Sequence, residues 1–231
     1  MLKLVLLPGL DGTGDLFRDF VRVLPPAVDV LTIRYPVDRC LPYSELIDVV
    51  RATCPPSVPI VLLAESFSTP LAIQYAGTNP ANLKAIVLCA GFATSPMQGL
   101  QRLFYSLITP ILFRIKLPEF AARLWLVGAD APPSLVNAIQ TTVASVQPEV
   151  LVARVRAVFA CDVRTELKQV TVPILYIQAK QDRLVNAASA EKIKQIKPQT
   201  EVVTVDGPHL LLQKEPGRAA EVISQFIQQL A

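Results

Sequence analysis

Residues 60–68 read I-V-L-L-A-E-S-F-S, an apolar run that ends abruptly in polar residues and is followed by a helix-like stretch. The run predicts a buried strand, and the periodicity after it predicts a helix from Ser66 to Ala76. Ala64 and Ser68 are small, as a tight strand-to-helix turn requires where the two backbones approach each other. Ser66 is then either an ordinary helix N-cap or a nucleophile raised on such a turn.

Short apolar runs alternate with amphipathic stretches on both sides of this segment. Strands are predicted over Leu2–Leu7, Val28–Arg34, Val58–Leu63, Leu83–Ala90, Val172–Ala179 and Thr200–Val205. Further helices are predicted over Asp15–Leu24, Tyr43–Thr53, Asn186–Lys194 and Gly217–Leu230. Such alternation predicts one α/β domain over residues 1–231, with about six mainly parallel strands flanked by helices. Residues 91 to about 160 interrupt the rhythm and predict a helical insertion.

Composition narrows the class of protein. The hydrophobic fraction is 52% and the net charge is +3, which suits a sheet buried on both faces and gives no indication of a nucleic-acid partner. The four cysteines are scattered without C-x-x-C spacing, as in a reducing cytoplasm. The N-terminus does not have the pattern of a secretory signal. No apolar stretch reaches the roughly 20 residues that a transmembrane helix needs, so we expect a cytoplasmic protein without such a segment. Oligomeric state stays open.

Two polar residues follow later strands. His209, the only histidine, lies between the last predicted strand and the last predicted helix. The carboxyl ends of parallel strands meet at one edge of a sheet, so a base at this position can face Ser66. Asp182 follows the fifth predicted strand and can accept the imidazole N–H. Asp206 and Asp162 are rival candidates for this acid, and Asp182 is favoured over both. Surface or core roles for these side chains are the alternative interpretation. A single histidine also argues against a metal site.

Residues 8–14 read P-G-L-D-G-T-G and connect the first strand to the first helix. Free backbone N–H groups beside a helix N-terminus suit a developing negative charge. The N–H groups of Leu10 and Phe67 are the candidate oxyanion hole. A dinucleotide loop is the competing interpretation. However, the glycine spacing is G-x-x-G-x-G instead of G-x-G-x-x-G, and no acid follows the second strand to hold a ribose.

The glycine loop, Ser66, the insertion, Asp182 and His209 follow one another in the chain order of the α/β-hydrolase superfamily. The sequence resembles this superfamily over nearly its whole length. Pro8-Gly9 stands where many members carry His-Gly, and residues 64–68 match the G-x-S-x-G elbow with alanine and serine in place of glycine. The loop is similar to that of small esterases, thioesterases and plant-type acyltransferases of this superfamily. The resemblance implies an α/β-hydrolase fold, a Ser-His-Asp triad and a helical lid formed by residues 91–160.

The expected function is that of a serine hydrolase. It would cleave a small-molecule carboxylic ester or thioester with an apolar acyl group, through an acyl-enzyme and without cofactor or metal. Transfer of the acyl group to an alcohol is an alternative, as is a catalytically silent hydrolase fold that binds a ligand or partner. The serine argues against a haloalkane dehalogenase, whose family nucleophile is an aspartate.

Apolar side chains of the insertion recur at spacings of three and four. They are expected to pack the lid onto the body, with some of them lining an acyl pocket. Basic side chains flank them, so weak contact with a membrane surface or an acidic partner stays open. The apolar residues are Leu100, Leu103, Phe104, Leu107, Ile108, Ile111, Leu112 and Phe113, and the basic ones are Arg102, Arg114 and Lys116.

Overall fold

A computed structural model describes residues 2–96 and 108–230 of the chain. Its centre is a six-stranded sheet in the spatial order β2-β1-β3-β4-β5-β6, in which every neighbouring pair is parallel. The predicted α/β architecture, with about six parallel strands and flanking helices, is confirmed. The strands are β1 Lys3–Leu7, β2 Asp29–Thr32, β3 Ile60–Glu65, β4 Leu83–Cys89, β5 Ile174–Ala179 and β6 Glu201–Val205.

Helices join the strands and form the insertion. The described helices are α1 Arg18–Val23, α2 Tyr43–Thr53, α3 Thr69–Gly77, α4 Pro110–Arg114, α5 Glu119–Ala122, α6 Pro133–Ala144, α7 Pro148–Ala160, α8 Arg164–Gln169, α9 Ala188–Ile196, α10 Leu211–Lys214 and α11 Pro216–Gln228. Short 3-10 turns cover Asp15–Phe17 and Ser66–Ser68, and a π-helical turn covers Arg123–Val127. Among the described residues, no helix has the length and apolar character needed to cross a bilayer.

The sheet is buried on both faces because its side chains alternate between two apolar clusters. In β1, Val5 and Leu7 join the cluster that is covered by α2, α3, α8 and α9. Leu4 and Leu6 join the opposite cluster, which is covered by α1, α10 and α11. This burial explains why the strands read as continuous apolar runs in the sequence.

The strand order places the loop after β1 beside the turn after β3. After β2 the chain returns to the other side of β1, so β1 is hydrogen-bonded to both β2 and β3. Connections that leave a sheet in opposite directions open a crevice at the carboxyl ends of the strands. The glycine loop and Ser66, far apart in sequence, therefore flank one crevice.

The insertion between β4 and α8 carries helices α4 to α7, as the sequence predicts. Its two ends meet, because Thr94 and Asp162 form an antiparallel bridge and the Ser95 N–H donates to Cys161 O at 2.9 Å. Phe113 contacts the insertion's own apolar cluster.

Some of the insertion's apolar residues differ from expectation. Ile111 and Leu112 are 66% and 58% exposed instead of packed. The short helix α4 packs against α7, and these two side chains lie away from that contact. Ile108 is half-buried. The remaining predicted packing residues, Leu100, Leu103, Phe104 and Leu107, lie outside the described residues, as does Arg102.

Alanine substitutions at two glycines, one in a crowded position and one in an open position, test the helix packing. A methyl group at Gly77 would lie 2.9 Å from the backbone oxygen of Glu166 in α8, whereas a methyl group at Gly217 would meet nothing within 4 Å. We expect Gly77→Ala to lower the free energy of unfolding by about 1–3 kcal/mol through overpacking. Gly217→Ala, the matched control, should be neutral or raise it by up to about 1 kcal/mol. Urea denaturation of both variants measures this, and equal changes would contradict the packing described.

Candidate active site

The turn after β3 holds Ser66 in a conformation that few residues adopt. Ser66 has φ 47°, in the left-handed region, where the backbone of any residue other than glycine is strained. Ala64, two residues earlier, is fully buried and pairs with Leu7 on one side and Leu88 on the other. A sharp turn with a strained serine between strand and helix is the backbone form of a nucleophile elbow.

Ser68 is the second small residue of this turn, and its hydroxyl takes part in two hydrogen bonds. The fully buried side chain donates its proton to Pro8 O. Because that proton is used, the Tyr35 hydroxyl is the donor in the 2.7 Å hydrogen bond between the two side chains. Ser68 therefore joins the start of the elbow helix to the end of β1. The sequence indicated only that a small residue was needed here.

The three predicted side chains Ser66, His209 and Asp182 meet at the carboxyl edge of the sheet. His209 Nε2 lies 2.9 Å from Ser66 Oγ, and His209 Nδ1 lies 2.7 Å from Asp182 Oδ2. The side chains of His209 and Asp182 are only 5% and 2% exposed. An ionised carboxylate can only accept, so Nδ1 carries the proton and Nε2 is left as an acceptor for the serine hydroxyl.

Asp182 is itself held in place by backbone groups. Its Oδ1 accepts the N–H groups of Leu184 and Val185, each at 2.8 Å, which leaves Oδ2 for the imidazole. The two rival acids point elsewhere. Asp206 accepts a hydrogen bond from Gln181 at 3.0 Å, and Asp162 pairs with Arg164 at 2.6 Å. Of the three candidate carboxylates, Asp182 alone contacts His209.

The two candidate oxyanion donors lie on the segments that flank the crevice. Phe67 belongs to the short helical turn Ser66–Ser68, and the first N–H groups of a helix have no acceptor within it. Leu10 is half-buried at the head of the loop that follows β1. The contact of Ser68 with Pro8 O ties this loop to the elbow.

The glycine loop is built as a stiff turn. The Gly12 N–H donates to Gly9 O at 3.1 Å, and the Tyr35 N–H donates to Gly12 O at 2.8 Å. Asp11 is buried and accepts hydrogen bonds from the Thr13 N–H at 2.8 Å and the Thr13 hydroxyl at 2.6 Å. A loop rich in glycine is thus held in one conformation by its own polar groups.

Glu65, directly before Ser66, was not singled out in the sequence, although it is only 1% exposed. Burial raises its pKa to about 7, and the nearby His209 opposes the shift. Its Oε2 accepts a hydrogen bond from Gln213 at 3.2 Å, and a methyl group at Gly9 would lie 3.5 Å from the same atom. The carboxyl group therefore lies behind both the nucleophile and the glycine loop, and it is neutral in acidic solution.

The insertion supplies apolar surroundings on both sides of this crevice. Leu210, next to His209, donates its N–H to Leu126 O at 2.9 Å and packs in an apolar cluster of the insertion. Leu10 packs against a second cluster, around Val150 and Leu151. Within residues 2–96 and 108–230, no three His, Cys, Asp or Glu side chains form a group that could hold a metal ion.

Removal of the Ser68 hydroxyl should weaken the fold measurably. Ser68→Ala leaves Pro8 O without its donor and the Tyr35 hydroxyl without its acceptor, both in buried positions. An unsatisfied buried polar group costs about 1–3 kcal/mol, so the free energy of unfolding should fall by about that amount. Ser57→Ala, at an exposed turn, is the control and should change it by less than about 0.5 kcal/mol. Similar values for both variants would contradict the role assigned to Ser68.

Glu65→Gln should remove a pH dependence of stability. In the wild type, the unfolded chain loses the Glu65 proton near its ordinary pKa of 4.5, whereas the folded chain keeps it until about pH 7. The folded state binds more protons in this window, so stability falls as pH rises from 4.5 to 7 and is constant above it. The difference in unfolding free energy between wild type and variant should decline by about 3 kcal/mol over this range. A difference that stays flat would refute the buried neutral carboxyl.

Comparison with known proteins connects this geometry to a family. The chain is similar to a thermophilic esterase from Thermogutta terrifontis, with 18% identity, 100% of this chain and 90% of that chain covered, and a TM-score of 0.83. It is also similar to an enol-lactonase from Burkholderia xenovorans, with 16% identity, 98% and 91% covered, and a TM-score of 0.83. A bromoperoxidase from Bacillus anthracis gives 14% identity, 98% and 91% covered, and a TM-score of 0.84. At these identities the likeness shows a shared fold.

Comparison of the sequence with curated proteins finds no match. A family model described as alpha/beta hydrolase family matches residues 4–222, nearly the full length. That match agrees with the six-stranded parallel sheet and with the order of its connections. The chain belongs to the alpha/beta hydrolase family.

Proposed function

We propose that this protein is a serine hydrolase that cleaves a carboxylic ester or thioester with an apolar acyl group. The observation that carries the proposal is the unbroken hydrogen-bond chain from Ser66 Oγ through His209 to Asp182. Family membership makes a hydrolase acting on a small molecule the general class. Two similar structures are described as an esterase and an enol-lactonase, which is consistent with chemistry at an acyl carbon–oxygen bond.

Acylation begins at Ser66. Its oxygen attacks the substrate carbonyl while His209 Nε2 removes the hydroxyl proton, and Asp182 stabilises the imidazolium that forms. The carbonyl oxygen becomes an oxyanion, which the N–H groups of Leu10 and Phe67 bind. One such donor is worth about 3 kcal/mol in the transition state. His209 then returns the proton to the leaving alcohol or thiol, and the acyl group stays on Ser66.

Deacylation repeats the same steps with water. His209 removes a proton from the water molecule, whose oxygen attacks the acyl-serine carbonyl, and the second tetrahedral intermediate uses the same oxyanion donors. Collapse of this intermediate returns the proton to Ser66 Oγ and releases the carboxylic acid. The strained backbone of Ser66 keeps its oxygen at the sheet edge in both half-reactions.

The insertion is proposed to act as a lid that receives the acyl chain. Its apolar clusters contact Leu210, beside the base, and Leu10, which carries a candidate oxyanion donor. An extended apolar group leaving the reaction centre would therefore meet the insertion. An apolar chain gains about 0.8 kcal/mol for each buried methylene. Ester hydrolysis should therefore become more efficient as the acyl chain lengthens, until the space under the lid is filled.

Substitution of the triad tests the reaction directly. Ser66→Ala should abolish labelling by a fluorophosphonate probe and reduce kcat for a nitrophenyl ester by more than about 10³-fold. Asp182→Asn should cost about 10⁴-fold, because it favours the wrong imidazole tautomer. Asp206→Asn is the matched control and should retain wild-type rates, since Asp206 contacts Gln181 instead of His209.

The outcomes separate the proposal from its rivals. Probe attachment at a residue other than Ser66, or full activity of Ser66→Ala, would contradict the nucleophile. An inert but folded wild type, tested against esters and thioesters of several chain lengths, would point to a silent binding fold. Products analysed in the presence of a competing alcohol should be mainly the free acid, and mainly a new ester would establish acyl transfer instead.

A further inference from the structure

Arg154 is a buried cation that the proposed reaction does not use. It lies near the middle of α7, in the insertion, and is 2% exposed. A charge removed from water is costly unless it is paired or fully hydrogen-bonded. The guanidinium here donates to backbone carbonyls: Nη1 to Leu10 O at 2.9 Å and Asp11 O at 2.6 Å, and Nη2 to Pro36 O at 2.9 Å. Two of these carbonyls belong to the glycine loop that carries the candidate oxyanion donor.

The same guanidinium also contacts the second side of the oxyanion hole. Its central carbon lies 5.9 Å from the centre of the Phe67 ring and 5.7 Å from that of Tyr35. A cation at this distance from an aromatic face is attracted to it, most strongly where water is excluded. Phe67 carries the other candidate donor N–H. Arg154 thus touches both residues whose backbone amides would bind the oxyanion.

The position of Gly12 shows that the loop is shaped around this side chain. A methyl group at Gly12 would lie only 2.5 Å from Arg154 Nη1, and the residue has φ +71°. Glycine is therefore required twice, once for the backbone conformation and once for the space that the guanidinium occupies. The contact with Arg154 explains why glycine is needed at this position of the loop, and no phosphate ligand has to be assumed.

The peptide planes of the loop connect Arg154 to the Leu10 N–H. Gly9 O accepts the Gly12 N–H at 3.1 Å and closes a turn with Leu10 and Asp11 at its centre. In a planar trans peptide the Leu10 N–H points away from Gly9 O, so this turn sets the direction of the donor. The peptide plane between Leu10 and Asp11 is the one that flips between turn types, and Arg154 holds its carbonyl, Leu10 O. Arg154 also holds Asp11 O, which shares a peptide plane with the Gly12 N–H that closes the turn.

We propose that Arg154 is the positioning residue of the oxyanion hole, through which a helix of the insertion holds the Leu10 N–H in its productive direction. The inference rests on the proposed function and adds a residue from outside the sheet to its machinery. Arg154 touches neither substrate nor reacting atoms in this account. It acts through the backbone of Leu10 and Asp11 and through the ring of Phe67.

The test compares Arg154→Met and Arg154→Lys with Arg156→Met, an exposed position on the same helix. Displacement of an oxyanion donor by about 1 Å costs on the order of 10²-fold in rate. Arg154→Met should therefore lower kcat by about this factor while KM changes by less than about 3-fold. Arg154→Lys keeps the charge but cannot reach three carbonyls at once, so it should fall between. Arg156→Met should resemble the wild type.

A second readout separates positioning from general loss of structure. A trifluoromethyl ketone forms a tetrahedral adduct with a serine and presents an oxyanion, whereas the neutral alcohol obtained by reducing that ketone does not. Across the variants, the inhibition constant of the ketone should rise in proportion to the fall in kcat/KM, with inhibition by the alcohol unchanged. Because the lysine variant keeps the buried charge, it remains informative if the methionine variant fails to fold.

The results distinguish this inference from the function on which it rests. Folded Arg154 variants with wild-type kcat and ketone affinity, and with Ser66 still labelled by a fluorophosphonate, would overturn the positioning role and leave the hydrolase intact. An equal loss of affinity for the ketone and for its alcohol would also overturn it, because that pattern reports a damaged site. A wild type that is neither labelled at Ser66 nor active on esters would overturn the function itself.

Discussion

The hydrogen bond between His209 Nδ1 and Asp182 Oδ2, at 2.7 Å, is the interaction on which the site depends. It decides which ring nitrogen carries the proton and therefore whether Nε2 can accept the proton of Ser66. Backbone amides hold the other oxygen of Asp182, so the carboxylate cannot turn away. The chain contains no second histidine, and all of the proposed acid–base chemistry passes through this one ring.

The fold supplies this interaction by placing loop ends side by side. Parallel strands bring Ser66, Asp182 and His209 to one edge, and the adjacency of β1 and β3 sets the glycine loop against the elbow. Two further contacts join these parts. Ser68 links the elbow to Pro8 from within the sheet, and Arg154 reaches the same loop from the insertion. The glycine-loop side of the crevice is thus held from two directions, and on the base side the Leu210 N–H, next to His209, is bonded to Leu126 O of the insertion.

Much of this arrangement was predictable from sequence because it follows from periodicity and chain order. Buried parallel strands read as apolar runs, and a polar residue after such a run falls at the site edge, as Ser66, Asp182 and His209 do. Helices α8 and α10, of six and four residues, are too short to show a helical period. Glu65 and Arg154 were also missed, because charged residues are expected on the surface and their burial depends on tertiary neighbours. Ser68 was predicted by size, while its hydroxyl contacts required coordinates.

The most direct test is nitrogen NMR of the protein labelled with ¹⁵N-histidine, since the only imidazole gives an unambiguous spectrum. The account predicts, at a pH where the ring is neutral, a protonated Nδ1 whose proton resonates far downfield, together with an unprotonated Nε2. Asp182→Asn should remove that downfield proton, and Asp206→Asn should leave it in place. A ring protonated at Nε2, or one averaged between the two tautomers as in free solution, would contradict the central claim.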